Sequence, residues 1–151
     1  ALPARRERLV RPFAEWLEFH AAARPDHPAL VHEDQALDYA ALAARARQLA
    51  RWLRDERGLE PGARVAWLGA NAPDQLALLF ACAYTGLILL PLNWRLSDAE
   101  IAAILADAGV SLAILDVSTA ERAAALAAVP VVNARHGDGP RLPAPATVGF
   151  D

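Results

Sequence analysis

The chain contains no lysine and no methionine, and it has a single cysteine, Cys82. All fifteen of its basic residues are therefore arginine. The missing lysine excludes a Schiff base and a Walker-type phosphate lysine from this polypeptide, because both need a lysine amine. The lone cysteine excludes an internal disulfide, and its apolar helical surroundings indicate a structural, reduced thiol. Because residue 1 is not methionine, we expect a trimmed terminus or a piece of a longer chain.

Several other signals are missing. No apolar run approaches the roughly 18 to 20 residues of a membrane span, and no apolar core follows the N-terminal arginines as in a secretory signal. The net charge of -3 lacks the basic excess of a nucleic-acid binder. With 55% hydrophobic residues in 151, the composition predicts one globular domain with a substantial core. We therefore expect a cytoplasmic protein with no membrane span and no nucleic-acid partner.

Catalytic and metal-binding patterns are also absent. The four histidines lack metal-ligand spacing, so no metal site is expected. No serine lies in a Gly-x-Ser-x-Gly elbow, and the acidic residues form no catalytic pair. The histidines are His20, His27, His32 and His136, and the serines are Ser97, Ser111 and Ser118. No catalytic residue is assigned.

Strands and helices alternate along the chain, which predicts an α/β fold with a mostly parallel sheet flanked by helices. Residues 33–35 connect two short apolar runs, so a small β-hairpin is expected near the N-terminus. The predicted helices are 12–23, 39–57, 73–85, 97–108 and 118–128, and the predicted strands are 29–32, 36–39, 65–68, 87–90, 112–115 and 131–132. In the second helix, arginines 45, 47, 51 and 54 are expected to avoid the apolar face.

The last part of the chain has a different composition. Residues 133–151 contain three prolines and three glycines without a periodic apolar pattern. Such a composition is typical of a linker or an exposed loop. We therefore predict an α/β subdomain at 1–132 and a Pro/Gly-rich linker at 133–151.

One strand-turn-helix segment carries most of the functional information. Gly86 is expected to end a helix in the left-handed conformation, and the strand at 87–90 is expected to stop at Pro91. Ser97 and Glu100 have the spacing of a capping box at the start of the next helix.

The turn inside this segment, residues 91–96, is polar. Asn93 and Arg95 offer hydrogen bonds at the carboxyl end of a strand, where open α/β sheets place their ligands. Asn93 is expected to close the turn with its side chain. Trp94 is expected to pack over the neighbouring helix or to form a subunit contact, which leaves a homodimer open.

A second turn, residues 69–74, also follows a strand and precedes a helix. It has one glycine where the dinucleotide-binding fingerprint needs three, and Pro73 removes an amide donor. Nucleotide binding is therefore not predicted there, and Asn71 is interpreted as a helix cap.

The segment from Gly86 to Glu100 resembles the adenylate-forming enzymes, which include the ATP-dependent acyl- and aryl-CoA ligases and their luciferase and peptide-synthetase relatives. Many members carry Gly-Ala-Val-x-x-Pro-Leu-Asn-x-Arg-Leu before a Glu-bearing helix, and Leu87 stands where the family usually has Ala. Segments at 25–31, 37–42, 61–66 and 69–74 match the family in the same order, over roughly residues 15 to 116. Three positions depart from the family's motifs: Asp38 replaces Thr, Ala41 replaces Glu and Ala63 replaces Asp.

The resemblance implies an N-terminal portion of an acyl-CoA synthetase, which is an acid–thiol ligase. The intact enzyme would use ATP, Mg²⁺ and coenzyme A to convert a carboxylic acid to a thioester through an acyl-adenylate. In the family, the phosphate loop, the magnesium-binding Glu, the ribose-binding Asp and the adenylation Lys lie beyond the region that this chain matches. The chain alone is therefore predicted to be inactive, with the remainder of the same enzyme as its partner. Asn93 favours a CoA ligase over an amino-acid adenylation domain, while fatty, aromatic and short-chain acids remain open as substrates.

Arg95 is the candidate cofactor-binding residue. In some acyl-CoA ligases the arginine of Asn-x-Arg-Leu contacts the phosphorylated nucleotide end of coenzyme A, and Arg95 matches that position. A guanidinium suits a phosphate because its fork donates two parallel hydrogen bonds. The alternative is a surface arginine that bonds its own turn or the next helix. Apart from this weak coenzyme A contact, no cofactor or metal is assigned to the chain.

Two other functions stay open. One is a non-catalytic binding or assembly module with the same fold. The other is an unrelated doubly wound nucleotide-binding domain, which the missing glycine fingerprint disfavours.

Overall fold

The computed structural model describes residues 12–134 and 142–144. The chain begins with a helix and an antiparallel hairpin and then alternates strands with helical segments, as predicted. The elements are α1 (Pro12–Ala23), β1 (Pro28–His32), β2 (Gln35–Asp38), α2 (Tyr39–Arg51), a π-helical turn (Trp52–Glu56), β3 (Arg64–Leu68), α3 (Pro73–Thr85), β4 (Ile88–Leu92), α4 (Asp98–Asp107), β5 (Val110–Leu115), a 3-10 segment (Val117–Leu126) and β6 (Val131–Asn133).

The second sheet has four parallel strands in the order β4-β3-β5-β6. Because successive side chains of a strand point to opposite faces, β3 contributes to two separate cores. Val65 and Trp67 face α1, α2 and α3, whereas Ala66 and Leu68 face α4 and the 3-10 segment. The predicted α/β architecture, with helices on both faces of a parallel sheet, is confirmed.

The helix ends follow the predicted chemistry. Gly86 and Gly109 adopt φ angles of 71° and 58°, the left-handed conformation that glycine takes without steric cost. Ser97 and Glu100 form a complete capping box at the start of α4. Asp38, which departs from the family's Thr, caps α2 by accepting the Ala41 N–H at 2.7 Å.

Four details of the prediction are wrong, and three of them concern single residues. Pro91 lies inside β4, opposite Trp67 of β3, because β4 is an edge strand and edge strands tolerate proline. Asn71 is not a cap: Ala72 occupies the N-cap position of α3, with no side-chain hydrogen bond. Arg45 faces inward between α2 and α3, with its side chain 8% exposed.

The segment predicted as a fifth α-helix is a 3-10 segment, Val117–Leu126. Thr119 holds its first turn: the Thr119 hydroxyl donates to Leu68 O of β3 at 2.7 Å, and the Thr119 N–H donates to Asp116 O, at the start of the segment, at 2.9 Å. The second of these bonds spans three residues, which is the 3-10 step.

The described end of the chain lies against α2. Leu142 is 5% exposed and its N–H donates to Asn133 O at 3.1 Å. The Gln48 side chain donates to Ala144 O at 2.5 Å. These contacts place residues 142–144 on the α2 side of the sheet. The boundary between an α/β subdomain at 1–132 and a linker at 133–151 stays a prediction.

Candidate functional site

The turn between β4 and α4 is closed by Asn93. Its Oδ1 accepts the Arg95 N–H at 3.0 Å, and its backbone O accepts the Leu96 N–H at 3.2 Å. The predicted turn-closing role of Asn93 is therefore confirmed. The turn leaves Trp94 48% exposed, so its ring lies at the surface beside Arg95.

Arg95 is exposed at the tip of this turn. Its guanidinium carbon lies 5.3 Å from the centroid of the Trp94 ring, within cation–π range. Within residues 12–134 and 142–144, the guanidinium makes no hydrogen bond to its own turn or to α4. A planar cation on an exposed aromatic ring is able to bind a phosphate, which is the property that the predicted coenzyme contact needs.

Arg122 of the 3-10 segment holds the same turn from the other side. Its Nη1 donates to Trp94 O at 2.9 Å and its Nη2 donates to Leu96 O at 2.7 Å. Its Nε donates to Asp98 Oδ1 at 2.5 Å, and the Arg122 side chain is only 15% exposed. Sequence reasoning missed this residue, because its partners lie 24 to 28 positions away along the chain and no motif marks it.

The capping box fixes the helical side of the turn. Glu100 Oε2 accepts the Ser97 N–H at 2.8 Å and the Ser97 hydroxyl at 2.7 Å. These two bonds hold the pKa of Glu100 below its ordinary value. The first turn of α4 also carries Asp98, so two carboxylates lie at the positive end of the helix dipole.

The ends of the two strands at the switch point of the sheet lie close together. The strand order reverses direction between β3 and β5, where doubly wound sheets bind ligands. Here the Asp116 N–H donates to Leu68 O at 2.9 Å, and a Cβ on Gly69 would overlap the Cβ of Asp116. The chain segments that follow β3 and β5 are therefore in direct contact at this edge of the sheet, whereas the turn after β4 is exposed.

A second charged cluster joins the first three helices. Arg47 makes a two-bond ion pair with Glu18, to which the Tyr84 hydroxyl donates at 2.6 Å. The hydrogen bonds from Arg47 lower the pKa of Glu18, and burial raises the pKa of Tyr84. A shallow cleft of about 330 Å³ lies beside them, lined also by Ala50, Arg51, Arg54 and Thr85. This network ties α1 to α2 and α3, which is a structural role.

Cys82 lies in the core at 2% exposure, and burial raises the pKa of its thiol to about 12. The predicted structural role of this thiol is confirmed. Residues 12–134 and 142–144 contain no group of three metal-ligating side chains that could hold a metal ion. In the same residues, none of the helices combines the length and the hydropathy of a membrane span.

The family model for AMP-binding enzymes matches residues 17–145. The chain belongs to the AMP-binding enzyme family. Membership excludes the unrelated nucleotide-binding domain that the sequence left open, and it confirms the resemblance to adenylate-forming enzymes.

Individual members of the AMP-binding family give the same result. The chain is 41% identical over 143 residues to a feruloyl-CoA synthase from an Amycolatopsis species, covering 90% of this chain and 28% of the relative. It is 40% identical over 98 residues to the fatty acid–[acyl-carrier-protein] ligase ScoC of Streptomyces coeruleorubidus, covering 65% of this chain and 19% of the relative. The chain thus spans less than a third of the length of these AMP-binding enzymes.

One solved structure has the same fold as this chain. A Rhodopseudomonas palustris protein assigned as a candidate long-chain-fatty-acid CoA ligase superposes with a TM-score of 0.78 at 31% identity. The match covers 86% of this chain and 34% of that one. The predicted fold, an N-terminal portion of the adenylate-forming enzymes, is thereby confirmed.

Proposed function

We propose that this chain supplies the N-terminal part of an ATP-dependent carboxylate–CoA ligase. The observation that carries the proposal is the family match over residues 17–145, joined to 41% identity with a feruloyl-CoA synthase. The relatives' names include both aryl and fatty acids, so the proposed substrate is a carboxylic acid with an apolar body.

The proposed reaction has two steps. In the first, the substrate carboxylate attacks the α-phosphorus of ATP, which forms an acyl-adenylate and releases pyrophosphate. In the second, the thiol of coenzyme A attacks the acyl carbon, the acyl–phosphate bond breaks, and AMP leaves. Mg²⁺ would neutralise charge on the ATP phosphates in the first step. Because this chain has no lysine, the family's adenylation Lys must come from elsewhere in the enzyme.

Arg95 is the residue of this chain that we assign to coenzyme A. Its guanidinium is exposed, lies against Trp94 and has no hydrogen bond within the described residues. A hydrogen bond between an arginine and a phosphate contributes about 1.5 to 3 kcal/mol. The chain's other contribution is architectural: it supplies four parallel strands and the helices that cover them.

The test uses the full-length ligase with Arg95 replaced by Ala. We expect the Michaelis constant for coenzyme A to rise about tenfold to one-hundredfold, which corresponds to the loss of one charged hydrogen bond. Adenylation, measured by pyrophosphate exchange without coenzyme A, should not change. Arg51→Ala, which removes an exposed arginine from α2, is the matched control.

Dephospho-coenzyme A sharpens this test. If Arg95 binds the ribose phosphate that dephospho-coenzyme A lacks, the wild-type enzyme should prefer coenzyme A to dephospho-coenzyme A. Arg95→Ala should remove that preference. An unchanged Michaelis constant in Arg95→Ala contradicts the assignment. Absence of carboxylate-dependent AMP release from ATP and coenzyme A contradicts the ligase itself, and transfer only to a carrier protein's thiol would favour the activity named for ScoC.

The proposal also includes a cytoplasmic location. The chain's one thiol is buried and unpaired with another cysteine, as expected in a reducing compartment. A homodimer stays a prediction, which the molecular mass of the full-length ligase in solution would test.

A further inference from the structure

Arg122 joins three parts of the molecule at the candidate coenzyme site: the 3-10 segment, the turn after β4 and the first residue of α4. We propose that Arg122 is a positioning residue, which fixes the turn 93–96 in the conformation that presents Arg95 to coenzyme A. This inference rests on the proposed function, because it concerns the same ligand and the same turn.

The first argument comes from the backbone on either side of Arg95. The peptide unit between Trp94 and Arg95 is held at both ends: its carbonyl accepts from Arg122 Nη1 at 2.9 Å, and its N–H donates to Asn93 Oδ1 at 3.0 Å. A peptide unit held at both ends cannot rotate without breaking a hydrogen bond. The direction in which the Arg95 side chain leaves the backbone is therefore set before any ligand binds.

The second argument is that Arg122 also binds the carbonyl of Leu96, on the other side of Arg95. Arg122 Nη2 donates to Leu96 O at 2.7 Å, so one guanidinium bridges the residue before Arg95 and the residue after it. The planar fork of arginine suits two acceptors at a fixed spacing, which a lysine ammonium cannot match as a point charge.

The third argument concerns charge. Arg122 pairs with Asp98 at 2.5 Å and is 15% exposed, so its charge is neutralised within the protein. Arg95 is exposed, and its guanidinium lies over the Trp94 ring and makes no hydrogen bond or ion pair within residues 12–134 and 142–144. The two arginines therefore have different roles. Arg122 holds the turn in one conformation, and Arg95 is the cation available to a ligand.

A merely structural role for Arg122 makes a different prediction from a positioning role. If Arg122 only stabilises the packing of α4 on the 3-10 segment, its loss should lower stability and affect both half-reactions alike. If it positions Arg95, its loss should act on the step that uses coenzyme A and should require Arg95 to be present.

The experiment replaces Arg122 with Gln in the full-length ligase. We expect the Michaelis constant for coenzyme A to rise about three- to tenfold, the scale of ordering one arginine side chain on binding, while pyrophosphate exchange is unchanged. In an Arg95→Ala background, Arg122→Gln should cause no further rise, since the two residues act as a unit. Arg54→Gln is the control, because that arginine is exposed and, among the described residues, its ion pair is with the adjacent Asp55.

A second readout needs no catalysis. Amide hydrogen exchange of Arg95, whose N–H is bound to Asn93, should accelerate in Arg122→Gln and stay unchanged in Arg54→Gln. If Arg122→Gln does not fold, Arg122→Lys carries the test. It keeps the charge opposite Asp98 and its single ammonium can reach at most one of the two carbonyls, so the same changes are expected at smaller size.

The outcomes separate this inference from the proposed function. A raised Michaelis constant in Arg95→Ala, with no change in Arg122→Gln, overturns the positioning role and leaves the coenzyme contact standing. Additive effects of the two substitutions, or equal loss in both half-reactions, also overturn it. If Arg95→Ala itself leaves the Michaelis constant unchanged, the coenzyme contact is wrong and the inference falls with it.

Discussion

Gly69 shows how one missing side chain shapes the carboxyl edge of the sheet. It follows β3 directly and is buried, and a Cβ at this position would overlap the Cβ of Asp116 after β5. The neighbouring Leu68 carbonyl accepts hydrogen bonds from the Asp116 N–H and the Thr119 hydroxyl. Gly69 therefore allows the chain segments after β3 and β5 to approach each other closely at the carboxyl edge of the sheet.

Gly69→Ala should destabilise the protein by about 1 to 3 kcal/mol, the cost of forcing an extra carbon into a packed site. Urea unfolding of the 151-residue chain would measure this loss. Asp116→Gly, which removes the clashing carbon, should make the added Gly69→Ala substitution much less costly. An equal loss in both backgrounds would show that the contact with Asp116 is not the cause.

The residues of the turn differ in how far sequence could predict them. Asn93 follows a strand and precedes a helix, and an asparagine in that setting closes turns through local bonds, which the structure confirms. Arg122 depends on the tertiary placement of a segment more than twenty residues away. The sequence assigned that segment to an α-helix, and the 3-10 geometry gives its side chains different directions.

At the scale of elements, α4 is the helix whose start was most fully predictable. Its capping box satisfies orphan N–H groups with side chains from residues three apart, so the motif is local and needs no tertiary information. The errors at Pro91 and at residues 117–126 have a common source. A strand tolerates proline when it lies at the edge of its sheet, and β4 is such a strand. The start of the 3-10 segment depends on a hydrogen bond to Leu68, which lies in β3, far away along the chain.

The capping box also predicts a pH dependence. The hydrogen bonds from Ser97 lower the pKa of Glu100 in the folded state, so its contribution to stability is complete above the unfolded pKa. That contribution is lost as the pH falls below the ordinary value of 4.5 and through the lowered pKa. Urea unfolding between pH 7 and pH 3 should show a stability loss in wild type that is smaller in Glu100→Gln, whose side chain does not titrate.

Ser97→Ala removes the other half of the same box. We expect a loss of about 0.5 to 2 kcal/mol at neutral pH, as for other N-cap serines. Ser118→Ala is the matched control, since Ser118 is exposed and its hydroxyl donates to the Asp116 carboxylate, two residues earlier, at 3.1 Å. Equal effects of the two serine substitutions would argue against a capping contribution.

At the scale of the whole molecule, the parallel sheet and its helical layers followed from the alternation of elements, but the strand order did not. Alternation predicts parallel strands with right-handed crossovers, whereas the position of β3 between β4 and β5 is set by which faces pack together. Arg45 illustrates the same limit. Helical periodicity placed it off the apolar face, yet it is buried because Asp74 of α3 supplies a partner from outside α2.

Arg45 joins two helices and the described end of the chain on one face of the sheet. Its Nε donates to Asp74 Oδ1 at 2.8 Å, which joins α2 to α3 with side-chain exposures of 8% and 6%. Its Nη1 donates to Pro143 O at 2.6 Å, which holds the described end of the chain against α2. Removing one member of a buried pair leaves a desolvated charge, so Arg45→Ala should destabilise the protein by about 3 to 5 kcal/mol.

Urea unfolding of Arg45→Ala and Arg54→Ala measures this effect against an exposed pair. Arg54 and Asp55 have side-chain exposures of 61% and 54%, so solvent screens their attraction and Arg54→Ala should leave the unfolding midpoint close to wild type. The Leu142 amide, which donates to Asn133 O, should exchange faster in Arg45→Ala because the bond to Pro143 is lost. A shift in the unfolding midpoint with unchanged Leu142 exchange would confine Arg45 to the α2–α3 contact and would remove its role in anchoring residues 142–144.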